Sequence, residues 1–95
     1  MTITRITRYT TDPADVPAML ARRDALVAAV RVAHPGMRDA SLGRVDERTW
    51  LDLWRWESRV QLEAAVADTP NIPEAAAAFA LTSDVTVEVA DLLDA

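Results

Sequence analysis

The period of apolar and polar positions changes several times along the chain. Thr2–Thr11 is rich in Thr, Ile and Tyr, which suit a pleated strand, with Ile3 and Tyr9 on one face and Ile6 on the other. Thr11-Asp12-Pro13 then predicts a turn. From Pro13 or Asp15 the period lengthens. Val16, Met19, Leu20, Leu26, Val27, Val30 and Ala33 recur at three- and four-residue spacing, one apolar stripe on an amphipathic helix of about 18–20 residues. Asp provides an acceptor for the free N–H groups at its start, and Pro is tolerated in a first turn. His34-Pro35-Gly36 ends it, because Gly is a common C-cap residue and Pro cannot continue a helix.

Met37–Val45 reads as a second strand, with Ala40 and Leu42 sharing a face. Asp46-Glu47-Arg48 is a charged turn of hairpin length, leading to a third strand over Thr49–Glu57. That strand holds all 3 tryptophans of the chain. Side chains alternate along a strand, so Trp50, Asp52, Trp54 and Trp56 share one face while Leu51, Leu53 and Arg55 share the other. Apolar residues on both faces predict cover on both sides. Ser58 caps a helix over Arg59–Ala67, with Val60, Glu63 and Ala64 or Val66 on successive turns. The stretch Asp68–Pro73 breaks it, and Glu74–Leu81 resumes as a short Ala-rich helical turn or two. Asp84–Ala90 alternates Val85, Val87 and Val89 against Thr86 and Glu88, a fourth strand. Leu92 and Leu93 form a short tail that should dock on the body.

The order strand, helix, strand, strand, helix, strand is that of an α+β, ferredoxin-like βαββαβ domain, a single domain over residues 1–95. Two helices on one face of a four-stranded antiparallel sheet leave the other face bare. That face carries Leu51, Leu53 and some of the strand-four valines. A bare apolar sheet face predicts a partner, and a two-fold homodimer through the sheet face is the simplest one.

Composition narrows the function. A chain of 95 residues with 51% hydrophobic and 26% charged residues is an ordinary globular domain, with a core small enough that a partner would help it. A net charge of -5 disfavours nucleic acid and anionic membrane surfaces, which would repel it. No apolar run is long enough for a membrane span, and Met1–Arg8 lacks the apolar core of a signal peptide, so a cytoplasmic protein is expected. The absence of cysteine excludes disulfides, thiolate nucleophiles and Cys-ligated metals. The 10 basic residues are all Arg, and Ala is heavily used, a bias typical of GC-rich bacterial genes.

Further markers are Ala40-Ser41-Leu42 with Arg44, and above all Trp54-Arg55-Trp56-Glu57-Ser58 running into Gln61-Leu62-Glu63-Ala64-Ala65. Together with Asp12-Pro13 and His34-Pro35-Gly36, these resemble the antibiotic biosynthesis monooxygenase type of the dimeric α/β-barrel superfamily, across essentially the whole chain. The resemblance implies oxidation of an anthrone, quinol or polyketide-like substrate by molecular oxygen with no cofactor. In that chemistry the deprotonated substrate supplies the electron to oxygen. The protein supplies an apolar cavity between sheet and helices, a base or hydrogen-bond donor, and exclusion of water. Trp56 matches a family Trp, but the residue four before it is Asp52 where oxidising relatives carry Asn. A family Tyr in the next helix has no counterpart in Val60-Gln61-Leu62. Haem is disfavoured, because residues 59–83 lack the His of haem-degrading relatives and Asn71 is the only Asn. No grouping has the spacing of a metal site.

Asp52 is thus a candidate base. Burial among tryptophans would raise its pKa and an adjacent Arg would oppose the shift; its alternative is a solvated strand residue. Arg23 lies on the apolar stripe of the first helix, where a charge must be paired or face a cavity. It either pairs with Asp52, orients an anionic substrate oxygen, or snorkels. Trp56, Trp54, Tyr9 and His34 are candidate substrate contacts. His34 has a competing role at a helix C-terminus, where a cation meets the dipole favourably, and Tyr9 and Trp50 have packing roles. Leu20, Val30, Leu53, Phe79 and the strand-four valines read as core or interface. A non-catalytic ligand-binding or structural dimer, or a polyketide isomerase or cyclase, is the alternative on the same fold.

Overall fold

The computed structural model describes residues 2–93. Four strands form one sheet in the order β2-β3-β1-β4, with β1 at Ile3–Thr10, β2 at Met37–Arg44, β3 at Thr49–Trp56 and β4 at Ser83–Asp91. All three pairings are antiparallel, as the split βαββαβ order requires. The helices are α1 at Val16–Ala33, α2 at Arg59–Asp68 and a short α3 at Pro73–Phe79. The Pro73 ring begins α3 as a separate helix, so the helical layer has three members rather than two.

The ends of the elements follow from local chemistry. The Asp12 carboxylate accepts from Ala14 N at 3.0 Å and opens a single 3-10 turn over Pro13–Asp15 before α1 begins. The Ser58 hydroxyl accepts from Gln61 N at 3.3 Å and caps α2. Gly36 does not end α1 through a left-handed conformation, since no glycine has positive φ. Its lack of a side chain serves a close approach instead: a Cβ there would lie 2.6 Å from the Gln61 side chain of α2.

Register decides which residues face the helices. Ile3 pairs with Trp56, Thr7 with Asp52 and Tyr9 with Trp50, so the odd positions of β1 and the even positions of β3 share the helix side. On the opposite edge Arg5 pairs with Val89 and Thr7 with Val87. The β4 valines therefore lie on the helix side, not on the bare face expected for some of them. The helices do not reach over them: Val85, Val87 and Val89 keep 47%, 44% and 39% of their surface exposed. The open face carries Ile6, Leu51 and Leu53 among Arg8, Arg55 and Glu88.

Met19, Leu26 and Val30 are buried along α1, and Leu20 and Val27 lie partly buried beside them, as the stripe predicts. The inward face of α2 differs from expectation. Leu62 and Ala65 are buried, whereas Val60 is exposed and Glu63 and Ala64 face outward. Phe79, expected in the core or at an interface, is 45% exposed and so lies outside the core. In α3, Ala75 and Ala78 are small enough to let it lie close against α1, where Arg22 Nη1 donates to Ala77 O at 2.9 Å. Leu92 N donates to Thr2 O at 3.0 Å and docks the tail, while Leu93 stays exposed. The core divides into a large cluster around Trp56, Leu26, Leu62 and Ala75 and a smaller one of Tyr9, Met19 and Trp50.

Candidate substrate cavity between the sheet and the helices

β3 connects the two apolar clusters, with Trp50 in one and Trp56 in the other. Between them on the same inward face stand Asp52 and Trp54, so a carboxylate is carried into the protein interior. Asp52 is only 6% exposed. A buried charge must be paired and hydrogen-bonded, and three neighbours supply this. Arg23 grips both carboxylate oxygens: Nε lies 3.1 Å from Oδ1 and 3.0 Å from Oδ2, and Nη2 lies 2.9 Å from Oδ1. Trp54 Nε1 donates to Oδ1 at 2.7 Å, and the Tyr9 hydroxyl donates to Oδ2 at 3.1 Å.

Each donor arrives from a different element, Arg23 from α1, Tyr9 from β1 and Trp54 from β3 itself. Arg23 lies four residues after Met19 and three before Leu26, so helical periodicity turns it to the core side of α1. Tyr9 sits opposite Trp50 on the neighbouring strand, one inward position from the Thr7–Asp52 pair, and its ring spans that offset. Burial, then the charge and hydrogen bond of Asp52, push the Tyr9 phenol well above its usual pKa, so it stays a neutral donor. For Arg23, burial works against the charge, but the hydrogen bonds and charge of Asp52 prevail and hold its pKa above the usual value.

These groups form one wall of a cavity of about 80 Å³. Trp54, Trp56, Thr7 and Arg5 complete the sheet wall; Met19, Leu26, Leu62, Ile72 and Ala75 close it from the helices. A pocket for a drug-sized ligand holds roughly 300–1,000 Å³. The tryptophans therefore leave room for something of single-ring size, not for a fused polycycle. Trp56 is 2% exposed and its Nε1 is buried without an acceptor. Trp50 Nε1 is also unpaired, but Trp50 lies outside the cavity lining, below the Arg44 guanidinium at 5.6 Å.

Asp52, Arg23, Trp54, Trp56 and Tyr9 are thus brought together around one space. His34 is not among them. It closes α1, its N–H donating to Val30 O at 2.7 Å, and its Nε2 lies 2.8 Å from Asp68 Oδ2 at the end of α2. Hydrogen bonds from Asn71 and then His34 hold the Asp68 carboxyl below its usual pKa. The residue missed in the sequence is Arg5. Its signal was its parity, since it shares the face of Ile3 and Tyr9 on β1. Among the described residues no cluster of three or more His, Cys, Asp or Glu could hold a metal ion, and no helix is long and apolar enough to cross a membrane.

Protein-family models and curated proteins give no match to the sequence. Solved structures do. A putative antibiotic biosynthesis monooxygenase from Caulobacter crescentus superposes with a TM-score of 0.83 at 19% identity, over 98% of this chain and 91% of that one. SnoaB, a cofactor-independent oxygenase from Streptomyces nogalater, gives a TM-score of 0.74 at 21% identity, over 99% and 95%. Rv0793 from Mycobacterium tuberculosis gives 0.73 at 26% identity, over 100% and 98%. The chain has the fold of the antibiotic biosynthesis monooxygenase type. Identities this low establish architecture, and chemistry has to be argued from the residues.

Proposed function

We propose that the protein is a small oxygenase-like enzyme that acts without a cofactor on a single-ring quinol or a related enolisable aromatic, as a cytoplasmic homodimer. The observation that carries this reading is the burial of one carboxylate, Asp52, in the wall of an otherwise apolar cavity. Among the described residues no other carboxylate or His lines that space, so Asp52 is the one side chain there able to take a proton from a bound substrate. Arg23 then steadies the oxyanion that forms, and Trp56 and Trp54 hold the ring and exclude water. The reaction converts a ring CH2 of the keto tautomer and O2 to C=O and water, one oxygen atom entering the carbon and the other leaving as water. The fold shared with a cofactor-independent oxygenase supports the same reading.

A second reading is favoured by the five donor contacts on that carboxylate, from Nε (twice) and Nη2 of Arg23, Trp54 and Tyr9. A base must free a lone pair before it can accept a proton. A carboxylate so fully engaged serves equally as an anchor in a protein that binds its ligand and leaves it unchanged. Oxygen uptake with simple quinols and anthrones separates the two. The enzyme reading expects uptake with single-ring quinols that falls at least 100-fold in Asp52→Asn. Binding without uptake in the wild type selects the anchor. Unchanged uptake in Asp52→Asn removes the base assignment.

A further inference from the structure

The cavity wall contains two guanidinium groups and one carboxylate. Arg23 and Asp52 neutralise each other at 2.9 Å. Arg5 has no such partner. It is half-buried on the helix side of β1 and, among the described residues, makes neither an ion pair nor a side-chain hydrogen bond. Burial lowers its pKa, with no opposing contribution from an acid. Glu63, on the same side of the protein, is not within 4.0 Å of it. A half-buried guanidinium left unpaired is costly unless something outside the chain completes it.

Its position says what that something is. Arg5 lines both the cavity and a more open groove of about 440 Å³ between α2 and the uncovered valines of β4, so it stands where the two meet. Trp56 Nε1, another unengaged polar atom of the inner wall, is also a donor, and the Thr7 hydroxyl in the same wall can donate as well. Acceptors are what the site lacks. We propose that Arg5 is the anion-binding residue of this cavity, and that the ligand is a single-ring aromatic carboxylate. Its ring lies against Trp54 and Trp56, and its carboxylate pairs with Arg5 at the mouth. A bidentate guanidinium–carboxylate pair at a half-solvated mouth discriminates acid from ester without demanding that the charge be fully buried. The identity of the cavity as the substrate site rests on the function proposed above; the preference for an anion rests on Arg5 alone.

The test is calorimetric titration under anaerobic conditions with 2,5-dihydroxybenzoate and its methyl ester, which share the quinol ring and differ in the charge. The wild type should bind the acid at least tenfold more tightly than the ester, and less so at high salt. Arg5→Gln should erase that preference while leaving ester binding in place, and Arg5→Lys should restore part of it, with circular dichroism showing all three folded. Equal affinity for acid and ester, a preference that survives in Arg5→Gln, or failure of the wild type to bind either probe overturns the proposal. Oxygen uptake measured in parallel keeps the two ideas apart. Arg5-dependent binding without uptake sinks the oxygenase reading alone, and uptake with acid and ester alike that is indifferent to Arg5 sinks the anion site alone.

Discussion

Asp52 and Arg23 make the energetics of single residues unusually sharp here. Their side chains are only 9% and 12% exposed. Removing one member of a buried pair leaves the other charge uncompensated, at a cost of about 3–5 kcal/mol. That is a large share of the roughly 5–15 kcal/mol that holds a domain together. Asp52→Asn should therefore lower stability by about that amount in urea titrations. Pairing it with Arg23→Met should recover most of the loss, because the introduced amide accepts from Trp54 at its oxygen and donates to the Tyr9 hydroxyl through its NH2, while the stranded cation is gone. Equal stability of the single variant and the wild type would mean that the pair is solvated in solution.

At the scale of elements, the end of α1 is tied to the end of α2 by the His34–Asp68 contact at 2.8 Å, with Asn71 Nδ2 donating to the same carboxylate at 3.1 Å. The sign of its pH dependence follows from the depressed Asp68 value. A carboxyl whose folded pKa lies below the unfolded one contributes stability above the unfolded value, and that contribution is lost as pH falls through the folded one. Acidification below about pH 4 should thus destabilise the wild type more steeply than Asp68→Asn, in thermal melts followed from pH 6 downward. Parallel curves would show that the contact contributes nothing. The Gly36–Gln61 approach packs the turn after α1 against α2, so both contacts hold that turn region to α2.

At the scale of the whole molecule, two surfaces lack cover. The open sheet face has Ile6 and Leu51 half-buried and Leu53 at 36% exposure, set among Arg8, Arg55 and Glu88. Pairing of two sheets through this face is the homodimer proposed above, and a charge at its centre should prevent it. Leu53→Arg should convert a dimer to a monomer in sedimentation equilibrium, with the monomer still folded. A wild type that sediments as a monomer at tens of micromolar, where a stable dimer persists, would leave that face without its partner. The second surface, the β4 valines beside α2, belongs to the groove that Arg5 overlooks.

The sequence by itself determined the order of elements, the α1 stripe and the shared face of Trp50, Asp52, Trp54 and Trp56, because residue period alone carries that information. It also allowed Arg23 to meet Asp52, since a charge on an apolar stripe has few other resolutions. It left α2 misread, because an Ala-rich helix offers little contrast between its faces. Parity shows which residues of a strand lie together, but not which side is inward. Pairing with β1 decided that for the β4 valines, and the packing of Ile3 and Tyr9 against the helices decided it for Arg5. The size of the cavity and the separation of His34 from it were likewise decided by packing. Volumes and long-range contacts depend on how whole elements are stacked, and no local pattern of residues encodes them.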